Sequence, residues 1–140
     1  MTIPNSSNNP QKKILVIEDE TPLRLVVADK LTKANFAVLQ AKDGVEGLDL
    51  AIQEQPDLIL LDVEMPRMDG FTMLERLRGD NWGKDATVII LTNYDTDDEL
   101  LNKIIVNQPS YYLVKNDNTL EQILEKIHEV LAPQKITSSS

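Results

Sequence analysis

The run Pro56-Asp57-Leu58-Ile59-Leu60-Leu61-Asp62 sets four consecutive apolar residues between a Pro-Asp pair and a second aspartate. An apolar run that short reads as a strand. With no polar residue alternating, both of its faces must be buried. Similar runs lie on either side at Ile14-Leu15-Val16-Ile17, Ala37 to Ala41, Thr87 to Leu91 and Tyr111 to Val114. Amphipathic stretches separate them. Thr21-Pro22 opens a predicted helix, with Thr as cap and Pro at the first helical position; Leu23, Val26, Val27, Leu31 and Ala34 follow at helical spacing. Asp43 with Glu46 predicts a capping box for a second helix, with Val45, Leu48 and Ile52 inward and Gln55-Pro56 at its end. Met65 to Gly70 reads as a loop, and Phe71, Leu74 and Leu77 mark a third helix. Thr96 and Glu99 open a fourth, to about Asn107. Thr119 and Gln122 cap a fifth, to about Leu131, with Leu120, Ile123, Leu124, Ile127 and Leu131 on its apolar face. Five strand-helix units with doubly buried strands and right-handed crossovers predict an α/β fold, a parallel sheet sandwiched by helices.

Composition narrows the chemistry. The 140 residues suit one domain, and 14 basic against 23 acidic side chains give a net charge of −9. The acid excess disfavours nucleic acid and anionic membranes. No cysteine is present, which excludes disulfides and thiolate chemistry, and His128 is the single histidine. Apolar runs of four residues are far short of a membrane span. Residues 1–11 have no apolar core of a signal peptide and read as a flexible leader. Residues 132–140 read as a frayed tail, which leaves 12–131 as the folded domain. A soluble cytoplasmic protein is expected.

In open parallel sheets, ligands bind beyond the carboxyl ends of the strands. Strand one ends in Glu18 and Asp19, strand three in Asp62, strand four in Thr92 and strand five in Lys115; strand two supplies none. Each has a simpler reading on its own, as a helix-terminal charge, a cap, a β-former or a solvated lysine. All five at one rim are harder to explain that way. Three neighbouring carboxylates need compensation, which a hard divalent cation such as magnesium supplies through oxygen ligands. A cation, a lysine and a hydroxyl suit phosphoryl oxygens, and Asp62 would be the nucleophile that forms an acyl phosphate.

These residues carry a resemblance. Ile14-Leu15-Val16-Ile17-Glu18-Asp19-Glu20, the segment Pro56 to Gly70 with Asp62, Met65-Pro66 and Asp69-Gly70, Ile90-Leu91-Thr92 and Tyr112-Leu113-Val114-Lys115 closely resemble the receiver domain of bacterial two-component response regulators. The spacings of 43, 30 and 23 residues from Asp19 through Asp62 and Thr92 to Lys115 are close to that family's. The resemblance implies a flavodoxin-like sheet of order 2-1-3-4-5 with five helices. It implies Asp62 as phosphoacceptor for a histidine kinase or histidine phosphotransfer protein, and magnesium held by Glu18, Asp19, Asp62 and the backbone carbonyl of Glu64. Thr92 and Lys115 would contact the phosphoryl oxygens, and Tyr112 would be the switch aromatic.

The chain also departs from the pattern. Asn116 follows Lys115 where the family usually has a cis proline, and a trans bond is expected here. Asn93 and Tyr94 would narrow access to the site, and Glu64 and Tyr94 would tune phosphoryl lifetime. Only nine residues follow Leu131, so output is expected through protein contacts on the fourth helix, fifth strand and fifth helix. The first helix near Pro22 and Leu25 is the expected kinase-facing surface. Two rival readings stay open. A haloacid-dehalogenase-like phosphatase would need a second Asp two residues after the nucleophile, where this chain has Glu64. A receiver-like adaptor would work without phosphorylation.

Overall fold

The computed structural model describes residues 11–63, 68–92, 111–114 and 119–132. Five parallel strands form one sheet in the order β2-β1-β3-β4-β5. They are β1 (Lys13–Ile17), β2 (Ala37–Ala41), β3 (Leu58–Asp62), β4 (Val88–Thr92) and β5 (Tyr111–Val114). The described helices are α1 (Thr21–Lys33), α2 (Gly44–Glu54), α3 (Gly70–Arg78) and α4 (Leu120–Leu131), with a 3₁₀ turn at Gly83–Asp85. No described helix is long and apolar enough to cross a membrane. The expected helix from Thr96 to Asn107 lies outside the described residues.

Alternation along each strand divides the core in two. Ile14 and Val16 of β1, Leu58 and Leu60 of β3, and Ile89 and Leu91 of β4 pack with Val27 and Leu31 of α1 and Ile123 and Ile127 of α4. The intervening Leu15, Ile17, Ile59, Leu61, Val88 and Ile90 pack with Ala51 of α2 and Met73, Leu74 and Leu77 of α3. Successive side chains point to opposite faces, so a strand covered on both sides must be apolar at every position. That is why β3 reads without a polar break until Asp62.

Two local expectations need correction. The α1 helix begins one residue earlier than predicted. Its N-cap is Glu20, which makes no side-chain capping bond, and Thr21-Pro22 are the first helical residues. Proline has no N–H to lose at any position in the first turn, so it marks a helix start without fixing the cap residue. In α2 the inward positions are Gly44, Gly47 and Ala51, whereas Val45 and Ile52 are 37% and 40% exposed; Leu48 is half-buried. A Cβ on Gly47 would meet the Ile17 side chain and one on Gly44 the Met68 backbone. The helix sits too close to the sheet for larger residues, which are turned to its flanks. Val26 on α1 is likewise exposed, beside the buried Val27 and Ala28.

The helix caps follow the sequence more closely. Thr119 accepts from the Gln122 N–H, and Gln122 accepts from the Thr119 N–H at 2.7 Å, a complete capping box. Asp43 accepts from the Glu46 N–H at 2.8 Å, while the Glu46 carboxylate takes the Lys42 N–H, one residue before the cap. Gln55 ends α2 in the left-handed region (φ 46°), with Pro56 after it.

Candidate functional site

The carboxyl ends of the strands meet where the register brings Glu18 and Asp62 side by side, one step past the pairing of Ile17 with Leu61. Asp62 pairs with Leu91, so Thr92 follows on the next strand. Glu18, Asp62 and Thr92 are 4%, 3% and 1% exposed, while Asp19 is open to solvent. A carboxylate oxygen from each of Glu18, Asp19 and Asp62 lies within 4.8 Å of the other two. Three anionic oxygens that close repel one another in any medium. They are also the hard donor set that a small divalent cation takes. The residues present therefore fit a metal of that class.

The chain holds this cluster from several directions. The Glu18 N–H donates to the Ala41 carbonyl at 3.0 Å, and the Glu18 carboxylate accepts the Glu20 N–H at 3.2 Å. Arg24 donates from Nη1 to the Glu18 carbonyl at 2.9 Å and from Nε to Gln40 Oε1 at 3.2 Å. On the other side, the Val63 N–H donates to the Leu91 carbonyl and the Gly70 N–H to the Val63 carbonyl. Asp69 caps α3 by accepting the Thr72 N–H at 2.8 Å.

Of the residues singled out in the sequence, Glu18, Asp19 and Asp62 are brought together, and Thr92 stands at the end of the neighbouring strand. Tyr112 is in β5, its backbone paired with Ile90, and its side chain lies outside the described residues. Lys115, Asn116, Glu64, Asn93 and Tyr94 also lie outside them. Sequence reasoning missed Arg24 and Gln40. One signal was available: Arg24 puts a cation in the first turn of α1, at the positive end of the helix dipole and just after the acidic run Glu18-Asp19-Glu20.

The profile of the response regulator receiver domain matches residues 14–128. The chain belongs to that family. This receiver is therefore a two-component signalling domain with the flavodoxin-like fold. It is 45% identical over 80 residues to the DNA-binding dual master transcriptional regulator RpaA of Synechocystis, a match covering 57% of this chain and 33% of RpaA. It is 32% identical over 123 residues to the response regulator MprA of Mycobacterium tuberculosis, covering 88% of this chain and 52% of MprA. Its matches thus span from about a third to half of these curated relatives. Among solved structures, the chemotaxis protein CheY4 of Vibrio cholerae superimposes with a TM-score of 0.80 at 30% identity, over 87% of this receiver and 100% of that chain.

Proposed function

We propose that this receiver is a phosphoacceptor whose nucleophile is Asp62. The observation that carries the reading is the close approach of Asp62 to Glu18 and Asp19 at the carboxyl rim of the sheet. Asp62 ends β3 at the carboxyl rim, the end of an open parallel sheet where ligands bind. The proposed donor is the phosphohistidine of a histidine kinase or of a histidine phosphotransfer protein. An Asp62 oxygen attacks phosphorus, the O–P bond forms as the N–P bond breaks, and the leaving imidazole takes the electron pair.

Magnesium is the proposed ion, held by Glu18, Asp19, Asp62 and the Glu64 carbonyl; it would neutralise charge on the transferring group. Thr92 and Lys115 would donate to the phosphoryl oxygens. Withdrawal of Thr92 toward the phosphoryl group would let Tyr112 turn inward as the switch. Residues 12–131 form the signalling unit in this reading, and the protein acts in the cytoplasm as a regulator rather than as a turnover enzyme. Output would pass through protein contacts near β5 and α4. The exposed Leu25 and Pro22 of α1 would meet the phosphodonor protein.

Intact-mass measurement after incubation with magnesium and a small phosphodonor tests the reading. Wild type is expected to gain one phosphate, which alkali treatment or time removes, and Asp62→Ala to gain none. Absence of any gain in wild type would favour a receiver-like adaptor. Fast turnover of varied phosphoesters would favour a phosphatase.

A further inference from the structure

We propose that Arg24 is a positioning residue for the carboxylate cluster, an inference that rests on reading the cluster as a magnesium site. Its guanidinium grips the carbonyl of Glu18 at 2.9 Å and Gln40 Oε1 on β2 at 3.2 Å. The Glu18 carbonyl and the Asp19 N–H belong to one planar peptide, the unit that joins the two acidic residues. Fixing that carbonyl fixes the plane, and with it the directions in which the two side chains leave the backbone. The planar fork of arginine can hold two acceptors in set directions, as a lysine ammonium cannot.

The rest of the turn is tied in the same way. The Glu18 N–H is held by the Ala41 carbonyl, the Glu18 carboxylate accepts the Glu20 N–H, and the Arg24 N–H closes on the Glu20 carbonyl at 2.9 Å. Through Arg24, β2 supports a site to which it contributes no carboxylate. Helix stability does not explain a cation at this place, because the first turn of α1 carries the positive end of the dipole.

The sign of one measurement separates positioning from simple charge. A cation near the site repels magnesium, so if Arg24 acted only by its charge, removing it would tighten binding. If Arg24 acts by holding the turn, removing it weakens binding. Calorimetric titration of magnesium chloride into the full chain reads this directly. Wild type must bind; no binding would overturn the magnesium reading and this inference with it. Given binding, Arg24→Met is expected to lose about tenfold in affinity, the low end for outer partners of metal ligands. Arg24→Lys, which keeps the charge and one donor, recovers part of the loss. Equal or tighter binding by Arg24→Met would overturn the positioning role and leave the magnesium reading standing. Should Arg24→Met not fold, Gln40→Ala at an exposed position carries the test. It is expected to lose about threefold, since one of two anchors remains, and to add nothing in the Arg24→Lys background. Unchanged affinity in Gln40→Ala would then overturn the proposal.

Discussion

A Cβ placed on Gly70 would lie 2.6 Å from the Val63 Cα and 2.7 Å from the Asp62 carbonyl oxygen. Both neighbours are backbone, so nothing flexible can give way. Gly70→Ala is therefore expected to destabilise by about 1–3 kcal/mol through overpacking, despite the better helix propensity of alanine. Urea unfolding should show it. Gly79→Ala is the contrast: its nearest atom is the Arg76 carbonyl at 3.4 Å, and it should change stability by less than about 1 kcal/mol. Similar losses for both variants would refute the close-approach argument. At this scale the grouping of Glu18, Asp19 and Asp62, with Thr92 at the next strand end, was legible because strand ends in a parallel sheet share one rim. Arg24 was harder to read, because it acts on a backbone carbonyl. Gly70 was legible as part of the Asp69-Gly70 pair, but the close approach of Val63 and Asp62 that requires it was not.

The helices show what spacing can and cannot reveal. Thr119 and Gln122 were readable as a box because both partners are local and their bonds close within one turn. Thr119→Ala should cost about 1 kcal/mol, read from urea midpoints; an unchanged midpoint would mean that water replaces the cap without loss. The inward face of α2 was misread because the spacing of Val45, Leu48 and Ile52 is as helical as that of Gly44, Gly47 and Ala51. Only the distance to Ile17 and Met68 decides between the two faces. One link between elements is electrostatic: Lys30 on α1 meets Glu121 on α4 at 3.1 Å. The side-chain hydrogen bond from Lys30 comes first in holding the Glu121 carboxyl below its ordinary range, helped by its own backbone N–H and by the lysine charge. A carboxyl lowered by folding adds stability above its unfolded pKa, and loses that contribution as pH falls through its folded value. Glu121→Gln should then be less stable than wild type at neutral pH, with the gap closing in acid and in high salt. A gap that persists in acid would show that the ion pair is not its source.

At the scale of the molecule, the two-layer cover of the sheet was legible because burial on both faces leaves continuous apolar runs. The use of the acid excess was legible only in part. The net charge of −9 does not tell a solvated surface from a cluster; the 4.8 Å grouping of Glu18, Asp19 and Asp62 does. A cluster and a surface predict opposite responses to metal. Without metal, Asp19→Asn relieves repulsion with two neighbours, and at an exposed position that relief is worth about 1 kcal/mol at ~4 Å in a water-like medium. With magnesium, wild type gains by mass action, about 2.7 kcal/mol at a hundredfold excess over Kd, while the variant has lost a ligand and gains less. Thermal melts should therefore place Asp19→Asn above wild type in chelator and below it in magnesium. Asp49→Asn, an exposed carboxylate on α2 with the same change in net charge, serves as the control and should not cross over. If both variants respond alike, the acid excess acts only as diffuse surface charge. If Asp19→Asn alone crosses, three acids out of 23 account for the metal response of the whole fold.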